Sequence, residues 1–145
     1  MLLKNNSTFI LAEIAQSYEG DIDTLLSICE NATRTGLDGI MFQVIYADEI
    51  ALPENNKYDY FKQLEFEKNQ LKQVVDVVHQ GNKKVFAEVF GLKSANVMKE
   101  VGADVCSDYK SNEGAYSSCQ RGVAQRNAEM QRRLENEAYN QGLGK

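Results

Sequence analysis

Four short apolar runs alternate with amphipathic segments along the first 106 residues of the chain. The runs span residues 9–15, 39–46, 84–91 and 103–106, and polar or glycine-containing segments separate them. Short apolar runs with such boundaries are typical of buried β-strands. The pattern therefore predicts four strands.

The segment after the first run has helical periodicity. Asp21 or Asp23 is placed to cap the start of a helix, and Gly36 is the residue at which we expect that helix to end. The apolar positions between them recur at spacings of three and four residues and are Ile22, Leu25, Leu26, Cys29 and Ala32.

Three further helices are predicted later in the chain. After a loop that contains Pro53, residues 58–64 and 67–80 have helical patterns, and residues 94–101 form a short helix that Gly102 ends. The longest of these helices carries one apolar stripe, made of Leu71, Val74, Val75 and Val78.

Regular alternation of strands and helices is typical of right-handed βαβ units around a parallel sheet. Strands that are apolar on both faces fit a sheet packed on both sides or a barrel with a filled interior. Neither GxGxxG nor GxxxxGK[ST] occurs, which favours a barrel over a nucleotide-binding sheet. We predict an α/β fold over residues 1–106, about half of a (β/α)8 TIM barrel, and a polar segment with a tail helix over 107–145.

Composition narrows the class of protein. A net charge of −5 argues against nucleic acid or an anionic membrane as a partner. No apolar stretch approaches the roughly 20 residues that cross a bilayer, and we expect a cytoplasmic protein. The three cysteines, Cys29, Cys106 and Cys119, have no CxxC spacing and are expected to be reduced thiols. A single histidine cannot build a His-rich metal site.

Three predicted strands each carry one polar side chain within an apolar run. They are Glu13 in FILAEIA, Gln43 in GIMFQV and Glu88 in KVFAEVF. Because strand residues alternate between faces, parallel strands side by side are able to bring these three onto one wall. Carboxylates in such a setting suit proton transfer or the binding of a polar substrate. The alternative for each is a structural pairing with a neighbouring cation, amide or backbone group.

The stretch AEIAQSYEGDIDTLLSICENATRTGLDGIMFQ resembles the opening of the N-acylneuraminate (sialic acid) synthase family. That family typically shows AEIGxNHxGD, a helix and then GADAVKFQ. The later helices, a third strand that ends in FG, and VGADVC before a fourth strand follow in the same order. The resemblance covers residues 9–106.

The resemblance implies a (β/α)8 barrel that condenses phosphoenolpyruvate with an N-acylated amino sugar such as N-acetylmannosamine. It also implies a divalent metal, manganese or magnesium, as a Lewis acid, with ligands on later strands of the family's barrel. Glu13 matches the glutamate of the family's first strand and is the candidate catalytic residue. Gln43 matches the glutamine of KFQ, which contacts the sugar.

Several positions depart from the family pattern. Ser17 and Tyr18 stand where the family has Asn-His, and Met41 replaces the lysine of KFQ, which holds the phosphate-bearing substrate. Glu88 stands where the third strand usually has a phosphate-contacting threonine, and Lys110 matches a lysine after the fourth strand. The candidate substrate-binding residues are thus Ser17, Tyr18, Gln43, Glu88 and Lys110.

Three hypotheses for function follow. The first is a divergent sialic-acid-synthase-like enzyme, which is the one we expect at the level of the family. The second is a non-catalytic half-barrel that serves as a binding or assembly module, and the third is another (β/α) barrel aldolase or lyase. A barrel of this kind needs about 250 residues, so we expect this chain to supply about half of one. An open half-barrel exposes two strand edges and its interior, so we also expect a homodimer or an aggregation-prone protein.

Overall fold

The computed structural model describes residues 8–108 and Arg132. Of the predicted second domain, residues 107–145 with the tail helix, only 107, 108 and Arg132 are described. Lys110 and Cys119 lie outside the described residues. No helix in the described part is long and apolar enough to cross a membrane.

The described chain alternates strands and helices in the predicted order. Its elements are β1 (Leu11–Ala15), α1 (Ile22–Thr33), β2 (Gly39–Val44), α2 (Ala47–Ile50), α3 (Tyr58–Gln63), α4 (Lys68–Gln80), β3 (Lys84–Val89), α5 (Leu92–Val101) and β4 (Val105–Asp108). The strands pair in parallel in the order β1-β2-β3-β4. This confirms the predicted α/β fold, a partial barrel of parallel βα units.

The ends of two helices test the capping predictions. Asp21 caps α1, because its carboxylate accepts a hydrogen bond of 3.1 Å from the N–H of Asp23. The expectation that Gly36 ends α1 is wrong: the helix ends at Thr33, and Arg34 closes it in right-handed backbone that needs no glycine. Gly102 does end α5, with a left-handed φ of +92°.

The helix α2 was not predicted. It is a single turn of four residues, too short to show a helical repeat in the sequence. Its first N–H, that of Ala47, donates to Oε1 of Glu65 at 2.8 Å. A partner 18 residues away in the sequence therefore helps to fix this turn.

The core lies between the sheet and the helices α1, α4 and α5. All four residues of the predicted apolar stripe on α4 are buried there. The sheet contributes the side chains that alternate toward the helices, and these buried residues are Ile40, Phe42, Val44, Val85, Ala87 and Val89. Burying a valine, isoleucine or phenylalanine side chain stabilises a fold by about 1.5–3 kcal/mol. The helices therefore cover one face of the sheet and leave the other to the candidate site.

Candidate functional site

The face of the sheet away from the helices is the candidate site, and we call it the open face. It carries exposed or half-buried side chains, namely Leu11, Glu13, Met41, Gln43, Phe86 and Glu88. In a complete (β/α)8 barrel this face lines the interior. Glu13 is exposed and Leu11 is 37% exposed, so no described element covers this part of the face.

The strand register arranges the open face in rows. Glu13 lies opposite Met41, and Met41 lies opposite Phe86. The next row toward the carboxyl ends pairs Gln43 with Glu88. Gln43 is therefore one pleat repeat beyond Glu13, about 7 Å along the strand direction, and not directly beside it.

Gln43 and Glu88 form a direct side-chain pair. Nε2 of Gln43 donates a hydrogen bond of 2.6 Å to Oε2 of Glu88 across β2 and β3. Both side chains are half-buried. Gln43 and Glu88 thus lie together on one wall, as the strand alternation predicted. The hydrogen bond holds Nε2 of the Gln43 amide toward Glu88.

Glu13 is separate from that pair. Its carboxylate forms neither a hydrogen bond nor an ion pair with another described residue, and its side chain is exposed. A carboxylate that no protein group occupies is able to accept hydrogen bonds from hydroxyl or N–H groups of a ligand. Glu13 therefore has the accessibility that a substrate contact requires.

The backbone changes direction just after Glu13. The pairing of β1 with β2 is interrupted between Glu13 and Ala15, and Ala15 has a left-handed φ of +52°. Bulges of this kind redirect side chains and are frequent next to active sites. The exposed Ser17 follows, and its hydroxyl donates to the carbonyl of Ile14 at 2.6 Å. Ser17 therefore lies in the loop at the carboxyl end of β1.

Tyr18 lies in the core and not on the open face. Its side chain is only 1% exposed, and its ring is 5.1 Å from that of Phe66. Its hydroxyl donates a hydrogen bond of 2.7 Å to the carbonyl of Gln43. Burial, with a smaller contribution from Tyr60, raises the pKa of Tyr18. The structure thus makes Tyr18 a support for the backbone of β2, and its direct contact with substrate stays a prediction.

Glu49 is a residue that sequence reasoning missed. Its Oε1 accepts the N–H groups of Lys93 at 2.6 Å and Ser94 at 3.2 Å, at the start of α5. A carboxylate there satisfies helix donors that otherwise lack partners and interacts well with the helix dipole. Nothing in the sequence near Glu49 marks this role, because its partners lie 44 and 45 residues away. The contact ties α2, which follows β2, to the first turn of α5, which follows β3, at the carboxyl edge of the sheet.

The segments that follow β2 and β3 meet at a second point. The ammonium group of Lys93 lies 3.9 Å from the centre of the Tyr46 ring, a cation–π contact. The ammonium group of Lys93 is therefore in contact with an aromatic ring at the carboxyl edge of the sheet.

The charge of the open face is negative. The two rows that hold Glu13 and Glu88 contain no lysine or arginine on the described strands. Lys84 is the first residue of the strand that carries Glu88, and its ammonium group forms an ion pair of 2.8 Å with Asp104. The described part of the site thus suits hydroxyl and N–H donors better than phosphate or carboxylate groups.

The described residues do not form a metal site by themselves. Within 8–108 no three His, Cys, Asp or Glu side chains converge in a way that would hold an ion. Cys29 and Cys106 are buried thiols, and burial raises the pKa of Cys29 to about 12. The open-face carboxylates alone do not meet the ligand number that a divalent metal needs.

Comparisons with known proteins bear on the fold. No protein-family model matches the chain. A protein of Methanocaldococcus jannaschii, named Uncharacterized protein MJ1065, is 31% identical over 67 residues, which cover 46% of this chain and 20% of that protein. This chain therefore spans about a fifth of that relative.

Three solved structures have a similar fold. The N-acetylneuraminic acid (sialic acid) synthetase of Leptospira borgpetersenii, in complex with citrate, aligns with a TM-score of 0.64 and 24% identity over 73% of this chain and 39% of its own. The spore coat polysaccharide biosynthesis protein spsE of Bacillus subtilis aligns with a TM-score of 0.56 and 19% identity over 72% of this chain and 30% of its own.

The third is a putative spore coat polysaccharide biosynthesis protein E of Chromobacterium violaceum. It aligns with a TM-score of 0.53 and 14% identity over 69% of this chain and 33% of its own. At these identities the likeness concerns the fold. The sequence resemblance to the sialic acid synthase barrel is confirmed at that level, and this chain spans well under half of each solved chain.

Proposed function

We propose that the open face is the sugar-binding wall of a site like that of the sialic acid synthases, which condense phosphoenolpyruvate with an N-acyl amino sugar. The pair of Gln43 and Glu88, joined at 2.6 Å, carries the proposal. It presents a fixed amide and a carboxylate on the wall that also bears the accessible Glu13. The fold shared with a sialic acid synthetase supports the same assignment.

The Gln43 amide has a defined role in this proposal. Because Nε2 is held by Glu88, Oε1 remains as an acceptor. An acylated amino sugar offers both hydroxyl groups and an amide N–H as donors. Gln43 and Glu88 together therefore accept donors from one substrate, and Tyr18 holds the backbone of Gln43 from behind.

Glu13 is proposed as the proton-handling group. It is exposed and without a protein partner among the described residues, so a substrate hydroxyl is able to approach it directly. A carboxylate is able to take a proton from the attacking water as the water oxygen bonds to the carbon that then releases phosphate. The catalytic assignment of Glu13 depends on this accessibility and on its match to the family pattern.

Phosphoenolpyruvate requires cations that the described open face does not offer. Met41 cannot hold a phosphate, and Glu88 repels one. In the proposal the phosphate contacts come from beyond the described wall, with Lys110 as the candidate. The divalent metal of the family likewise has no ligand set within the described residues, so no step is assigned to it.

A second candidate function is a binding module without catalysis. The observation in its favour is the charge of the open face, where the described strands place two carboxylates and no cation in the rows that hold them. Such a wall still accepts donors from a sugar but does not bind phosphoenolpyruvate. The two functions differ in phosphate release and agree on sugar binding.

The test combines binding and turnover. N-acetylmannosamine is titrated into the 15N-labelled chain, and amide shifts are followed by NMR. Phosphate release is then measured with phosphoenolpyruvate, N-acetylmannosamine and manganese. Glu13→Gln is the test variant, and Glu54→Gln, a change of the same chemistry on an exposed loop residue, is the matched control.

The outcomes separate the hypotheses. Phosphate release that Glu13→Gln lowers at least a hundredfold and Glu54→Gln leaves unchanged supports the enzyme. Shifts centred on Gln43 and Glu88 without phosphate release support the binding module. No shifts and no release would rule out a sugar site on this chain.

A further inference from the structure

The described sheet has two edges, and they are complementary. In the order β1-β2-β3-β4 the outer strands are β1 and β4, and all four strands run in parallel. Neither β1 nor β4 pairs with another described strand at its outer edge. Such an edge presents a row of backbone donors and acceptors to any chain that arrives in the same direction.

We propose that a second copy of this chain closes on both edges and forms an eight-stranded, two-fold symmetric barrel. In that ring β4 of each copy pairs in parallel with β1 of the other, so the two junctions are identical. A closed C2 ring uses both edges at once and leaves none exposed. This inference rests on the fold and is independent of the proposed chemistry.

The strand register defines what such a ring requires. A closed (β/α)8 barrel has a shear of eight residues, so two identical halves contribute four each. Within the described sheet the row of Glu13, Met41, Phe86 and Val105 runs straight across all four strands, on the amino side of the bulge in β1. The junction must therefore supply the whole offset of four residues, so that this row continues from Val105 to the residue four before Glu13 in the other copy.

That offset specifies which residues meet. Ser107 of one copy lies opposite Leu11 of the other, and Val105 lies opposite Phe9. All four side chains must then face the barrel interior. Phe9 meets this condition, because its ring packs at 5.6 Å against Phe86, an open-face residue. Val105 and Ser107 meet it through their register with Phe86 and Glu88.

Closure also completes the candidate site. A single copy supplies one wall, on which Glu13 and Leu11 are exposed. In the two-fold barrel the same wall of the second copy faces it across the interior. The apolar side chains near the amino ends of the strands then fill the barrel, as barrel interiors require. These residues are Phe9, Leu11, Met41, Phe86 and Val105.

The experiment uses the full 145-residue chain with Cys119→Ser. The two cysteines that remain, Cys29 and Cys106, are buried. Sedimentation equilibrium gives the mass over a range of concentrations. Chains with Leu11→Cys are then mixed with chains with Ser107→Cys under oxidising conditions. Each variant alone is one control. Ala15→Cys mixed with Ser107→Cys is the other, because Ala15 lies four residues, about 13 Å, further along β1.

The expected result is twice the monomer mass of 16.3 kDa and a disulfide-linked product for Leu11→Cys with Ser107→Cys. Its yield should exceed that of either control at least tenfold. A monomer mass throughout, a mixture of larger species, or preferential linkage through Ala15→Cys would overturn the proposal. Because no ligand is added, failure here is distinct from failure of sugar binding.

Discussion

At the scale of single residues, Tyr18 has a contact in the core that its position in the sequence does not reveal. Its match to the histidine of the sialic acid synthase pattern predicted a contact with substrate. The backbone of the following turn instead directs the ring into the core, where it packs on Phe66 and bonds to the carbonyl of Gln43. The hydroxyl therefore acts on the site through the strand that carries Gln43.

Tyr18→Phe tests that role. The ring and its packing remain, and only the hydrogen bond to Gln43 is lost, so the free energy of unfolding should fall by about 1 kcal/mol. Urea unfolding followed by circular dichroism measures it. Tyr60→Phe, at a ring that is 50% exposed, is the matched control and should change stability by less than about 0.5 kcal/mol. Equal effects of both substitutions would contradict the assigned role.

At the scale of elements, the loops at the carboxyl edge are held by close contacts. Gly20 has a φ of +81°, and a Cβ added there would lie 2.1 Å from the carbonyl oxygen of Gln63, at the end of α3. Only glycine allows this approach of the β1–α1 loop to α3. Glu49 links α2 to the first turn of α5 in the same region.

Gly20→Ala should therefore destabilise the protein by about 2 kcal/mol or more, through both backbone strain and the clash with α3. Gly36→Ala is the matched control, because a Cβ there meets nothing within 4 Å and its φ is not left-handed. It should stay within about 0.5 kcal/mol of the unchanged protein. Thermal and urea unfolding give both values, and a Gly36→Ala loss as large as that of Gly20→Ala would refute the argument.

At the scale of the whole molecule, Asp104 joins three elements at the amino edge of the sheet. Its carboxylate accepts hydrogen bonds from Nζ of Lys84 at 2.8 Å and from the N–H of Val85 at 2.9 Å, and it lies 2.8 Å from Nε2 of His79 at the end of α4. Burial acts to raise the pKa of Asp104, but the hydrogen bonds from Lys84, Val85 and His79 outweigh it and lower the pKa.

This predicts a pH-dependent contribution to stability. Because the pKa of Asp104 is lower in the folded state, its stabilisation is complete above the ordinary aspartate pKa and is lost as the pH falls through the folded value. Asp104→Asn should lower the free energy of unfolding by about 2 kcal/mol at pH 7.

The difference from the unchanged protein should shrink as the pH falls through the lowered folded-state pKa of Asp104, because the carboxyl group then becomes neutral in both states. Urea unfolding at a series of pH values measures it. Asp76→Asn, which removes an exposed ion pair with Lys72, is the control and should have little effect at any pH. A deficit for Asp104→Asn that does not change with pH would count against the assignment.

Much of the fold was predictable because its signals are local. The four strands, the buried stripe of α4, the cap at Asp21 and the stop at Gly102 each follow from patterns within one turn or one pleat. The single-turn α2 and the end of α1 were not predictable from the sequence. Hydrogen bonds to the backbone or to distant side chains determine where they lie.

The sequence by itself determined the order of the elements and the strand faces that carry Glu13, Gln43 and Glu88, because strand alternation needs no distant contact. Only the tertiary structure decided that Gln43 meets Glu88 while Met41 lies opposite Glu13. It also decided that Tyr18 turns inward. Register and burial depend on residues that are 25 to 45 positions apart in the chain, and packing between whole elements selects among the pairings that local patterns allow.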